Sequence, residues 1–152
     1  MIIDDIRSKM ELVEKLSETL GEKIDKSNYE IEDMGCPHKQ PKGLKNGYGA
    51  IYIFALVDNG NVEFIKIGKA NEKSSPRFVS QHYGLKAPST LAKSLCADEY
   101  FKSRGVNEEN VKEWMLTNLY RINIRIKASK AATELIESIF HYAYRPRFEG
   151  NI

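Results

Sequence analysis

Apolar residues follow a helical period at the start of the chain, at spacings of three or four: Ile6, Met10, Val13, Leu16 and Leu20. Such spacing places them on one face of a helix. The pattern predicts an amphipathic helix from about Asp4 to Leu20 that ends at Gly21. Residues 27–48 are rich in Gly, Pro, Lys and Asn, and are predicted to form an irregular basic arm.

The hydrophobic period then changes to one that favours strands. Residues 50–57 are nearly all apolar, and residues 62–68 alternate, with Ile65 and Ile67 on the same side. Between them, Asn59-Gly60 is a strong signal for a tight turn. We therefore predict an antiparallel hairpin.

A third strand is predicted at Tyr120–Lys127, where apolar residues alternate with polar ones and give the strand a basic outer face. Helices are predicted at residues 75–83, 89–96 and on to 104, 107–119 and 129–144, with serines 75, 89 and 129 as caps. The expected fold class is α+β, a small three-stranded antiparallel sheet flanked by helices. Residues 1–48 are expected to form an N-terminal helical extension with its basic arm, and residues 49–152 the main domain.

Composition narrows the class of protein. The chain has 152 residues, about one domain, and 41% of them are hydrophobic and 29% charged, as in globular proteins. No apolar run approaches the roughly 18 residues of a membrane span, and the N-terminus does not resemble a signal peptide. Cys36 and Cys96 have neither disulfide-framework nor metal-site spacing. We expect a cytoplasmic protein with reduced thiols and no membrane partner.

Charge is distributed unevenly along the chain. Residues 1–35 carry ten acidic and five basic side chains, whereas residues 36–152 carry eleven acidic and eighteen basic ones. A basic body suits a polyanionic partner, because binding phosphates releases condensed counterions. A solvated surface of mixed charge explains the same counts, so charge alone does not decide.

Five short features follow one another along the second part of the chain: Gly49-Ala50-Ile51-Tyr52, Lys66-Ile67-Gly68-Lys69, Arg77, Glu137 and Arg145-Pro146-Arg147-Phe148. In this order, over residues 49–151, they resemble the motifs of the GIY-YIG nuclease superfamily. Lys66 replaces the tyrosine of the second motif, as in some restriction-endonuclease members. Glu149 occupies the place of the family's terminal asparagine, and Asn151 comes two residues later.

The resemblance implies a metal-dependent endonuclease that hydrolyses DNA phosphodiester bonds. Tyr52 would be the general base, driven toward phenolate by the cations Lys66 and Lys69. Arg77 would grip the scissile phosphate and stabilise the transition state. Glu137 would hold one Mg²⁺ or Mn²⁺ together with waters and phosphate oxygens.

Other residues compete for these roles or support them. Glu134, three residues before Glu137, is the rival metal ligand. His82 is a further candidate for a place near the phosphate. Tyr52 could equally be a core tyrosine, and Arg77 a surface residue.

The expected partners are duplex DNA and a second copy of the chain. Arg121, Arg125 and Lys127 on the third strand could follow a DNA backbone, together with Asn151. The apolar face of the first helix is a candidate dimer contact, which would supply two active sites for two strands. A non-catalytic nucleic-acid-binding module on the same fold and a partner-binding protein are the alternatives.

Overall fold

Four antiparallel strands form one open sheet in the computed structural model, which describes residues 2–149. The strands are β1 (Tyr29–Gly35), β2 (Gly49–Asp58), β3 (Asn61–Asn71) and β4 (Tyr120–Ile126), in the spatial order β1-β4-β2-β3. The α+β class is confirmed, but the prediction of three strands is wrong. The additional strand, β1, lies in the segment predicted to be irregular. Its signal in the sequence is weak, because the alternation of apolar and acidic residues is short and ends after seven residues at a glycine.

Helices cover both faces of the sheet. They are α1 (Ile2–Ser17), α2 (Ser75–Val79), α3 (Leu91–Ala97), α4 (Glu99–Ser103), α5 (Val111–Asn118) and α6 (Lys130–Tyr144), with 3₁₀ turns at Glu72–Ser74 and Gln81–Tyr83. Ser129 caps α6 as predicted, accepting the Ala132 N–H at 3.1 Å. Thr90, rather than Ser89, caps α3. None of the helices in residues 2–149 combines the length and apolarity needed to cross a membrane.

The side chains of β2 alternate between two cores. Tyr52 and Phe54 point to one face of the sheet, which packs against α2 to α5 and is called the Tyr52 face. Ile51 and Ile53 point to the other, which packs against α1 and α6 and is called the Ile51 face. Because helices cover both faces, β4 is buried on both sides, and the predicted exposed basic face is wrong.

The N-terminal segment is part of the same packing. Ile6, Met10 and Val13 of α1 are buried on the Ile51 face, so the chain itself covers most of the surface expected to contact a second copy. Leu16 and Leu20 remain 40% and 57% exposed. The expected boundary at residue 48 falls between β1 and β2, which belong to one sheet.

The hairpin of β2 and β3 forms as predicted, but with one additional residue in β3. Ala55 pairs with Phe64 whereas Phe54 pairs with Lys66, so Ile65 is the additional residue of a β-bulge. Ile65 and Ile67 consequently enter different cores, and the predicted alternation is wrong at this point. Tyr52 pairs with Gly68; if the register set by the turn continued without the bulge, position 67 would lie opposite it.

Candidate active site at the edge of β3

A cavity of about 790 Å³ lies beside β3, an outer strand of the sheet. β3, α2 and α6 contribute side chains to its wall, as does the segment after α6. Five of the residues singled out in the sequence line it: Tyr52, Lys66, Lys69, Arg77 and Glu137. Residues far apart in the sequence are thus brought to one concave surface.

Tyr52 reaches the cavity by crossing over Gly68. Its side chain is 2% exposed, and the ring lies so close to β3 that a Cβ atom at position 68 would be 2.3 Å from the phenolic oxygen Oη. No side chain fits at that distance. The glycine of the second motif therefore provides the space that the ring occupies.

His82 holds the hydroxyl of Tyr52 from within the core. His82 Nδ1 accepts the Leu91 N–H at 3.0 Å, and Nε2 lies 2.6 Å from Tyr52 Oη. Burial, with Arg77 and Lys66 nearby, lowers the pKa of His82 to about 3, so the ring is neutral at pH 7. Its single proton is then on Nε2 and is donated to Tyr52 Oη.

Burial dominates the acidity of Tyr52. It raises the pKa of the phenol to about 12, although Arg77 and Arg121 act in the lowering direction. Burial thus outweighs the nearby positive charge, and the pKa shift runs opposite to the expected direction. The cations that lower the pKa of Tyr52 are these two arginines, whereas the sequence pointed to Lys66 and Lys69.

The cations at the cavity are held in different ways. Arg77, in the first turn of α2, donates to Pro88 O at 3.2 Å and to Ser89 O at 3.0 Å. A guanidinium has five N–H groups, so further donors remain for an anion. Lys66 is partly buried, and this burial together with Arg77 lowers the pKa of its ammonium group.

The two candidate glutamates of α6 differ in position. Glu137 lines the cavity, and its Oε1 lies 3.8 Å from Lys69 Nζ. Glu134 Oε1 lies 3.6 Å from the same lysine and 3.9 Å from Lys130 Nζ, and this residue is not part of the cavity wall. Position therefore favours Glu137 over Glu134 as the carboxylate that faces a ligand.

The donors at the cavity fit an open site for a hard divalent cation. Within residues 2–149, no group of three or more His, Cys, Asp or Glu side chains could enclose a metal ion. Magnesium commonly uses one or two carboxylates and fills its remaining positions with waters and substrate phosphate oxygens. Glu137 in a polar cavity matches that chemistry, and Mn²⁺ has similar ligand preferences.

The residues expected to contact DNA lie elsewhere and differ in exposure. Arg121 is 1% exposed, so its predicted place on an outer surface is wrong. Arg125 is partly buried and donates to Glu32 Oε1 at 3.3 Å and to Lys42 O at 2.9 Å. Lys127 is exposed. Asn151 lies outside the residues that the structure describes.

Several residues of the site were missed by sequence reasoning. Ser89 and Ser94 also line the cavity, although the sequence signals no more than a helix cap at Ser89 and nothing at Ser94. Glu149 lines it too, and the sequence marked it only as the residue in place of the motif's asparagine. Phe148 reaches it because Arg147 N and Phe148 N donate to Phe64 O and Ile65 O, which fixes the C-terminal segment along β3. The Pro-x-aromatic pattern was the only available signal for this segment.

Comparison of the chain with protein-family models, curated proteins and solved structures finds no match in any of the three. Function is therefore inferred from the cavity and from the motifs that line it.

Proposed function

We propose that the chain is a metal-dependent endonuclease that hydrolyses DNA phosphodiester bonds. One observation carries the proposal: Tyr52, Lys66, Arg77 and Glu137 line a single cavity. A phosphodiester substrate needs a group that handles the proton of the attacking water, positive charge for the phosphorane, and help for the leaving oxygen. The four side chains have these capacities.

Each side chain has a role that follows from its position. Arg77 uses its remaining N–H groups to bind the scissile phosphate and stabilise the developing charge. Lys66 adds positive charge beside it. Glu137 would hold Mg²⁺ or Mn²⁺, which would supply Lewis-acid stabilisation of the negative charge that develops in the reaction.

Tyr52 is the residue whose protonation matters most. With a pKa of about 12 it is a phenol at neutral pH, so it must pass its own proton to solvent before it can accept the proton of the attacking water. The N–H that His82 donates to Oη at 2.6 Å favours the phenolate once it forms. The same bond occupies a lone pair of the oxygen and leaves the phenolic proton free for a partner in the cavity.

The alternative is a non-catalytic nucleic-acid-binding module on the same fold. The raised pKa of Tyr52 favours it, because a phenol that stays protonated binds phosphate without abstracting a proton. In that case Arg77 and Lys66 bind the phosphates of the nucleic acid, and no phosphodiester bond is cleaved.

A plasmid-nicking assay with Mg²⁺ and with EDTA separates the two. We expect cleavage with Mg²⁺, none with EDTA, and a loss of at least about 100-fold in Tyr52→Phe and Glu137→Gln. Matched controls are Tyr142→Phe, a 79% exposed tyrosine, and Glu134→Gln, one turn before Glu137; both are expected to cleave like wild type.

Equal nicking by wild type and Tyr52→Phe would sink the nuclease proposal. Salt-sensitive DNA binding without cleavage would support the binding module instead. We further propose duplex DNA as the substrate, cytoplasmic location, and a homodimer that supplies one cavity for each strand.

A further inference from the structure

Arg121 is a buried cation on the same face of the sheet as Tyr52. Each of its three nitrogens donates a hydrogen bond: Nε to Asn123 Oδ1 at 2.9 Å, Nη1 to Tyr83 Oη at 2.9 Å and Nη2 to Phe78 O at 2.8 Å. A buried charge is costly unless it is well bonded. Hydrogen bonds from all three nitrogens indicate a specific role for this guanidinium.

Aromatic rings surround the same guanidinium. Its Cζ lies 4.8 Å from the ring centroid of Phe78, 4.9 Å from that of Phe54 and 5.7 Å from that of Tyr52. These are cation–π distances. The nearest carboxylate in this network, Glu32, is reached only through Asn123, whose Nδ2 donates to Glu32 Oε1 at 2.7 Å.

Two of the three groups that accept hydrogen bonds from Arg121 belong to residues that directly follow Arg77 and His82. Phe78 directly follows Arg77, and Tyr83 directly follows His82. Tyr83 is also fixed from its far side, because its hydroxyl lies 2.7 Å from His38 Nε2. His38 Nδ1 lies 2.7 Å from Leu119 O, a carbonyl that can only accept, so Nδ1 carries the ring proton and donates it. His38 Nε2 therefore accepts the hydroxyl proton of Tyr83. The guanidinium therefore anchors both ends of the segment that presents Arg77 and His82.

We propose that Arg121 is the positioning residue of the site, holding the Arg77–His82 segment and the ring of Tyr52 in their mutual geometry without touching substrate. Its catalytic consequence rests on the proposed nuclease function. Arg121 does not contribute to the described wall of the cavity, so its effect passes through its neighbours. Its positive charge, with that of Arg77, also acts to lower the pKa of Tyr52.

The test compares Arg121→Lys and Arg121→Met with Arg104→Met. Arg104 is a control because it also pairs with an aromatic residue, donating to Tyr100 Oη at 2.8 Å, but it does not line the cavity. The first readout is the ¹⁵N NMR spectrum of the His82 ring at pH 7, which reports its tautomer. The second is the division of the nuclease defect between kcat and KM.

We expect both Arg121 variants to lose the single His82 tautomer and to lower kcat about 10- to 100-fold with little change in KM. Arg121→Lys keeps the charge but loses the planar fork, so the same loss is expected in it. Arg104→Met should keep the wild-type tautomer and kcat. If Arg121→Met does not fold, Tyr83→Phe decides, because it removes one anchor and keeps the ring.

A wild-type His82 spectrum and wild-type kcat in both Arg121→Lys and Tyr83→Phe would overturn the proposal. The NMR readout needs no DNA. If the wild-type protein cleaves nothing, the nuclease function fails while the tautomer still tests the positioning role.

Discussion

Gly68 is the residue on which the geometry of Tyr52 depends most directly. A methyl group there would lie 2.3 Å from Tyr52 Oη and 2.4 Å from Cζ, in the space that the ring now fills. We expect Gly68→Ala to displace the ring, to lower the free energy of unfolding by about 1–3 kcal/mol and to lose activity as Tyr52→Phe does.

Urea unfolding and plasmid nicking measure these two effects. Gly84→Ala is the control, because a Cβ at Gly84 would meet its nearest neighbour at 3.8 Å, an ordinary contact. An active Gly68→Ala protein of wild-type stability would show that the ring of Tyr52 can adopt another position without loss of packing or function.

The lowered pKa of His82 predicts that the free energy of unfolding depends on pH. Its pKa is lowered from 6.5 to about 3 in the folded protein, so between these values the unfolded chain binds more protons. The free energy of unfolding should therefore fall as pH falls through this window, by at most about 1.4 kcal/mol per pH unit.

Urea unfolding of wild type and of His82→Gln between about pH 4 and pH 7 measures this contribution. The wild-type protein should lose more stability on acidification than the variant. His38→Gln is a useful comparison, because burial also lowers the pKa of His38. Parallel pH profiles for wild type and His82→Gln would mean that the pKa of His82 does not differ between the folded and unfolded states.

At the scale of elements, the sequence predicted the features that neighbouring residues determine, such as turns and helix caps. The Asn59-Gly60 turn has positive φ at both residues, and the sequence alone identified the hairpin that it closes. The burial of Arg121 could not be predicted in this way. Alternation along β4 separates its two faces, but which of them is covered depends on helices distant in sequence. The bulge at Ile65 has no local signal either, because the residue is an ordinary strand former.

The position of β1 in the sheet predicts which truncated fragments of the chain can fold. It pairs with β4 along nearly its whole length, and α1 covers buried isoleucines of β2 and β4. We expect a fragment of residues 49–152 to be unfolded or molten, because it exposes this core and frees an edge of β4. The measurement is a ¹H–¹⁵N NMR spectrum of the fragment beside that of the full chain.

A fragment of residues 18–152, which lacks α1 alone, is the matched comparison because it retains β1. If residues 49–152 give a dispersed spectrum, the boundary at residue 48 is a true domain boundary. If both fragments are unfolded, the N-terminal segment completes a single folding unit.

At the scale of the whole molecule, the chain has one described cavity with the proposed nuclease residues. Under the proposed nuclease function, a monomer would cut one strand per encounter, whereas a symmetric dimer would have two cavities for two strands. We expect nicked circles to precede linear plasmid at low protein concentration. If a dimer is the form that cuts both strands, the fraction of linear product should rise steeply with protein concentration.

Exposed leucines mark where such a dimer would form. Leu16 on α1, Leu20 in the turn after α1 and Leu135 on α6 are exposed, and all three line one apolar groove. Leu16→Glu should then suppress linear product and leave nicking unchanged, with Leu12→Glu as the control for added charge. Sedimentation gives the oligomeric state directly. Linear product that stays unaffected in Leu16→Glu would exclude this surface.

The bulge at Ile65 also has a consequence for how related chains are recognised. Because of the bulge, the residue that pairs with Tyr52 depends on whether the number of residues between the two hairpin motifs is odd or even. Adding or removing one residue there would place a neighbour of Gly68 opposite Tyr52. A relative that lost this residue would present a side chain where Gly68 now leaves space, even if both motifs were conserved letter for letter. Gaps between the motifs should therefore occur in steps of two, or come with a compensating change elsewhere in the hairpin.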